Sequence, residues 1–248
     1  MRRHLTSLCF ASLVLAATYV HAQVPGKYFP LDHRRPPGVA AQWNAQIQPG
    51  AYGQPQAVKV FLPDGGTVSF YQGSPHSEVP VTAPAQVSLV VGNVYRIKLS
   101  NMPSRPGVDL FPTLELIDRL HPPVGVSQQF PIPVEITDEE IESALGDGMV
   151  TKVIYLEQPD FASPVESAGF SGNEDLPPSE NLLAAADHRG RPLLILRLGG
   201  RIPDPNSPQD EFYSTSPILF TGEPATSTGS SLQLPDPVDP ETGVVRGF

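Results

Sequence analysis

Hydrophobic and polar residues alternate with a two-residue period along much of the chain, which is the pattern of strands with one face on a core. Val87, Leu89 and Val91 share one face; after Gly92-Asn93, Tyr95, Ile97 and Leu99 do the same, with Arg96, Lys98 and Ser100 opposite. Gly-Asn is a two-residue hairpin signal, because glycine at the first loop position takes the positive φ of a type II′ turn without steric cost. The spacing therefore predicts an antiparallel hairpin over 87–99. A second hairpin is predicted over 58–71, where Val58 to Leu62 and Thr67 to Tyr71 flank Pro63-Asp64-Gly65-Gly66.

Four more strands follow from the same reading. Leu114 and Leu116 share a face with Leu120. Phe130, Ile132, Val134 and Ile136 alternate with Pro131 and Pro133, which delete two N–H donors along one side and so predict a sheet edge. Met149 to Leu156 is apolar on both faces, which predicts a central, doubly buried strand. Leu193-Leu194-Ile195-Leu196, bounded by Pro192 and Gly199-Gly200, is too short for a helix and predicts a buried strand. Two short helices interrupt the strands. Thr137-Asp138-Glu139-Glu140 is a capping-box start, with Ile141 and Leu145 one turn apart and Gly146 to end it. Ser179 to His188 is the second, with Leu182, Leu183 and Ala186 inward and Gly190 beyond. About eight strands and two helices define the expected class. It is a mainly β fold, an antiparallel β-sandwich, immunoglobulin-like or similar, with two short helical insertions and Pro-rich extended termini.

Composition divides the chain. Thirty prolines among 248 residues is more than twice the ordinary share, and they concentrate in 24–56 and 202–248 together with Gly, Ser, Gln and Asp. Residues 23–56 are accordingly expected to be an extended Pro/Gly/Gln-rich segment and 202–248 a disordered, acidic, Pro-rich tail. The sandwich is expected over 57–201, with a possible sub-boundary near 103. Trp43, the single tryptophan, is expected to pack against the domain edge. Residues 1–22 have the three parts of an export signal: Arg2 and Arg3, the apolar run Leu8 to Val14, and Val20-His21-Ala22 before the cut. The expected location is periplasmic or extracellular, with no membrane span after cleavage. The single cysteine, Cys9, leaves with the signal, so disulfides and cysteine chemistry are not expected in the mature chain.

Charge narrows the partners. Without Arg2 and Arg3 the balance is 14 basic against 26 acidic residues, a sign that argues against nucleic acid and anionic membrane surfaces. No catalytic motif stands out. There is no G-x-S-x-G elbow, P-loop or dinucleotide fingerprint, and Gly169-Phe170-Ser171-Gly172 misses the elbow by one residue. Asp118 and His121, three apart, would fall on opposite faces of a strand. His33, His76 and His188 lack metal-ligand spacing, and Asp138, Glu139 and Glu140 are explained by helix capping. Asp204, Asp236, Asp239 and Glu241 read as solvating charges of the tail. No cofactor, metal or catalytic residue is therefore expected. The candidate binding face is the outward row Arg96 and Lys98, against the plainer reading of a solvated strand surface paired with acids such as Glu115.

The strand, Pro-Asp-Gly-Gly turn, strand and Val-Gly-Asn sequence resembles the small β modules of bacterial surface proteins. The run Tyr95-Arg96-Ile97-Lys98-Leu99-Ser100-Asn101, then Pro103, Pro106-Gly107 and Phe111-Pro112-Thr113-Leu114-Glu115, resembles a set of exported bacterial proteins that carry no assigned activity. That resemblance implies export and transfers no functional residue. The expected function is that of a non-catalytic exported β-sandwich protein, a binding or structural component of the cell envelope or extracellular matrix whose partner is a protein or glycan. The alternative is a hydrolase or carbohydrate-active protein using a carboxylate pair drawn from Asp109, Glu115 and Asp118.

Overall fold

The computed structural model describes residues 32–158 and 175–220. The expected export signal, the Gly169–Gly172 near-miss and the acids beyond 220 lie outside them. In chain order the elements are α1 (Val39–Ile47), β1 (Pro55–Phe61), β2 (Thr67–Phe70), β3 (Val79–Thr82), β4 (Ala85–Val90), β5 (Val94–Ser100), β6 (Thr113–Leu116) and β7 (Ile132–Glu135), then α2 (Asp138–Leu145), β8 (Val150–Glu157), α3 (Leu182–Arg189), β9 (Gly190–Leu198), α4 (Gln209–Phe212) and β10 (Ile218–Phe220). The fold is mainly β, with two sheets. One has the order β10-β4-β1-β7 and the other β3-β2-β5-β6-β9-β8. Pairing is antiparallel except between β1 and β7. No helix among the described residues is long and apolar enough to cross a membrane.

Period-two alternation builds the core. Val58 and Val60 of β1, Val87 and Leu89 of β4, and Ile132 and Val134 of β7 belong to the same buried cluster as Val68 and Phe70 of β2, Tyr95, Ile97 and Leu99 of β5, and Leu114, Leu116, Leu194 and Leu196 of the strands beyond. Each such side chain stabilises the fold by roughly 1.5–3 kcal/mol, so this shared cluster is the main stabilising term. Ile195 points the other way, where it meets Ala40 of α1, Leu183 of α3 and Ile117. The six-stranded sheet is thus covered by helices on its second face.

Both expected hairpins are corrected. β4 and β5 are not paired with each other; β4 lies between β10 and β1, and β5 between β2 and β6. Gly92-Asn93 is the corner at which the chain leaves one sheet for the other. Gly92 has φ 96° and donates its N–H to Leu116 O at 2.9 Å, and a Cβ there would stand 2.3 Å from the Tyr52 ring. β1 and β2 likewise belong to different sheets across Pro63-Asp64-Gly65-Gly66. Turn chemistry reports that the chain reverses, and two strands that both bury one face can reverse across a core as readily as along a sheet edge.

Other readings hold or shift. β7 is a sheet edge, as Pro131 and Pro133 predict. The Thr137 hydroxyl accepts from Glu140 N–H while the Glu140 carboxylate accepts from Thr137 N–H, the reciprocal pair of a capping box. β8 is not central: it is the half-buried edge of its sheet, with α3 packed on it, and β9 is the strand buried on both faces. An edge strand with a helix on its outer face shows the same two-sided apolarity. Within 23–56 the composition hid α1, which starts after Gly38 at φ 96° and buries Ala40 and Ala41. Trp43 remains 42% exposed, because the two alanines make the contact. Within 202–220 the chain is not a bare tail: Phe212, Tyr213 and Ile218 are buried, and β10 pairs with β4.

Candidate functional site

Alternation along β5 sends Tyr95, Ile97 and Leu99 into the core and leaves Arg96 and Lys98 half-buried on the other face. The two cations meet different environments there. Lys98 Nζ lies 2.6 Å from Glu78 Oε1. Burial raises the Glu78 carboxyl, but hydrogen bonding from Lys98 and its neighbours outweighs this and holds the group below the usual carboxylate value. Arg96 has no ion-paired carboxylate among the described residues. Its Nη1 donates to Phe111 O at 2.9 Å and its Nε to Phe212 O at 3.4 Å, while the guanidinium stands 4.5 Å from the Phe212 ring centre. Arg201 approaches the same ring at 5.7 Å. Burial, with the Arg201 charge added, pushes Arg96 down to about 10, so it stays cationic at neutral pH.

Phe212 belongs to an aromatic cluster with Tyr71, Phe111 and Tyr213. Ring centres are 5.5 Å apart for Phe111 and Phe212 and 4.5 Å for Tyr71 and Tyr213. The segment 209–213 is therefore held against β5 by aromatic packing, and it places Phe212 beside Arg96.

Arg96 opens onto a cleft of about 770 Å³ on the helix-covered side of the six-stranded sheet. Five arginines line it: Arg34, Arg35, Arg96, Arg197 and Arg201. Two of these are neutralised. Arg197 Nη1 lies 2.7 Å from Glu115 Oε2, and Arg34 Nη1 lies 3.2 Å from Asp32 Oδ2, with Nη2 donating to Pro178 O. Arg35, Arg96 and Arg201 have no carboxylate within ion-pairing distance among the described residues. Asp147 and Glu180 are the acids of the lining, and Pro36, Pro37, Pro177, Pro178 and Met149 supply an apolar wall. His33 stands at the rim. Its Nδ1 is 2.9 Å from Asp32 Oδ1 and 3.2 Å from the Leu182 N–H that it caps. A proton on Nδ1 satisfies the first contact and its absence the second. Burial, the largest cause, prevails over the Asp32 charge and holds His33 below its ordinary value, which favours the cap.

The carboxylates singled out in the sequence do not form a facing pair. Glu115 is fully buried, with Oε1 accepting from Ala41 N–H at 3.0 Å and Oε2 paired with Arg197. It ties α1 to β6 and β9. Asp118 is 1% exposed; Oδ1 accepts from Arg119 N–H at 2.8 Å, and Oδ2 is 3.3 Å from Arg191 Nε in an alignment too poor for a hydrogen bond. Arg191 also reaches to 3.4 Å from His121 Nδ1, so a guanidinium separates Asp118 from His121. Asp109 is exposed in the loop before β6. Asp138 and Glu142 both bind Arg105, at 2.6 and 2.7 Å, and Glu140 binds Lys152 at 2.6 Å. No group of three or more His, Cys, Asp or Glu side chains is placed to hold a metal ion among the described residues.

Sequence reasoning singled out Arg96 and Lys98 and did not anticipate the arginines that the fold gathers around Arg96. Arg34-Arg35-Pro36-Pro37 and Arg197-Leu198-Gly199-Gly200-Arg201 are the two other basic clusters on the wall, lying more than a hundred residues apart. Each doublet in an acidic chain was a signal; their convergence was not. No protein-family model matches the chain, and no curated protein or solved structure matches it.

Proposed function

We propose that the chain is an exported, non-catalytic binding protein of the β-sandwich class, immunoglobulin-like or similar, that serves the cell envelope or extracellular matrix by holding an anionic ligand in its arginine-lined cleft. The sandwich reading is supported by the one core cluster that both sheets share. Export is supported by the three-part pattern of residues 1–22 and by the resemblance of the Tyr95–Glu115 run. The observation that carries the function is charge placement. A protein of net charge −10 gathers five arginines around one cleft, and three of them have no ion-paired carboxylate among the described residues. Unpaired guanidinium groups facing each other raise the energy of the empty cleft, and a bound anion removes that repulsion. The volume is that of an ordinary small-ligand site.

Binding without turnover follows from the acids. Glu115 and Asp118 are buried and engaged by Arg197 and Arg191, which leaves neither side chain presented to a ligand in the cleft. The test is titration of the full chain with carboxylated, sulfated and neutral oligosaccharides, followed by recovery of the ligand. The reading predicts saturable binding of anionic members that weakens as salt rises from about 0.05 to 0.5 M, with the ligand recovered unchanged. Equal response to neutral members, or hydrolysis of any member, contradicts it.

A further inference from the structure

Within the anion-binding reading, on which this inference rests, the inner end of the cleft says which anion. The donors there are all guanidinium groups, and no lysine lines the cleft. A guanidinium offers its N–H groups in a planar fork that matches two oxygens of a carboxylate or a phosphate, a two-point fit that the point charge of lysine does not supply. Arg96 spends Nε and one Nη1 proton on main-chain carbonyls, which leaves its Nη2 edge free. Those two hydrogen bonds and the Phe212 ring also fix the plane of the group, so little side-chain entropy is lost on binding. Arg201 is exposed, makes no hydrogen bond among the described residues, and shares that ring. Arg96 stands 4.5 Å and Arg201 5.7 Å from the centre of that ring, and both line the same cleft.

Away from the two cations, the lining changes character. Pro36, Pro37, Pro177 and Pro178 present rigid pyrrolidine rings, and exposed Met149 adds a flexible thioether. A small hydrophilic anion leaves this wall solvated, whereas an acid with an apolar body covers it and adds burial energy to the charge contact. We propose that Arg96 and Arg201, beside Phe212, form the head-group subsite for an organic oxyanion whose apolar body lies along the proline and methionine wall. Arg96 and Arg201 are the specificity-determining residues, and Phe212 positions them.

The probes are octanoate, acetate, octyl sulfate and octanol, titrated calorimetrically into the full chain below their micelle concentrations. The expected result is saturable binding of octanoate and octyl sulfate, at least about tenfold weaker binding of acetate, and none of octanol. Arg201→Gln is expected to weaken octanoate by about tenfold or more. Arg105→Gln, outside the cleft lining and paired with Asp138 and Glu142, serves as the charge-matched control and is expected to leave octanoate binding unchanged. Because Arg201 is exposed, its replacement leaves the core intact, and circular dichroism of both variants verifies folding. Acetate binding as tightly as octanoate, with both lost in Arg201→Gln, overturns the apolar-body assignment while the anion-binding reading stands. Octanoate binding that Arg201→Gln does not alter, or no binding of octanoate and octyl sulfate, overturns the subsite, whereas the anion-binding reading falls only if the anionic oligosaccharides also fail to bind.

Discussion

Glu115 and Arg197 show how a charge can be buried in this protein without becoming reactive. The pair is enclosed by β6, β9 and α1, and each carboxylate oxygen has a donor. Removing one partner leaves the other charged and dry, at a cost of about 3–5 kcal/mol. Glu115→Leu is therefore expected to lose that much in denaturant unfolding, and Glu115→Leu with Arg197→Met to lose distinctly less than the sum of the single changes. Additive losses contradict the pairing. His33 supplies a pH test at the same scale. Its pKa in the folded chain lies below the ordinary value of 6.5, so the unfolded chain takes up the proton more readily. Its contribution to stability is complete above about pH 6.5 and falls as the pH drops through that value. Unfolding free energies measured between about pH 7.5 and 5 should decline less in His33→Asn than in the wild type. None of this was legible from spacing, because Glu115 and Arg197 lie 82 residues apart and His33 meets α3 from 149 residues away.

At the level of elements, the reading from sequence succeeded where one segment carries its own reason. The capping box of α2 is set by Thr137 and Glu140 alone, and Thr137→Ala is expected to cost about 1 kcal/mol, with faster amide exchange in the first turn of α2. The edge placement of β7 follows from its own prolines in the same way. Pairing could not be read so locally. The alternation of β4 and β5 predicts which side chains are buried, and all of Val87, Leu89, Tyr95, Ile97 and Leu99 are, but it does not say across which sheet they meet. Gly92 is the residue on which that crossing depends. Gly92→Ala must place a methyl group into the Tyr52 ring at a positive φ, and a loss of about 1–3 kcal/mol in stability is expected, part of it restored in Gly92→Ala with Tyr52→Ala. A loss under a few tenths of a kcal/mol contradicts the corner assignment.

Across the whole molecule, the cleft is a matter of convergence. The N-terminal arm at 33–37, the stretch 176–180 before α3, the β9 exit at 199–201 and the 209–213 segment all meet over β5 and β9, and only that meeting makes a cleft. The sequence reading identified Arg96 from a strand face, and assigned the arm and the 209–213 segment to extended termini because their proline content outweighed their few apolar anchors. Those anchors, Ala40, Ala41, Phe212 and Tyr213, are what fasten the segments to the sheet. The most direct measurement of the anion-binding account is the arginine side-chain Nε–H NMR spectrum of the full chain during titration with octanoate at low salt. The account predicts saturable shifts of the Arg96 and Arg201 signals, reversed by added salt, while Arg105 stays in place. Unmoved Arg96 and Arg201 signals, or equal shifts of every arginine, would contradict it.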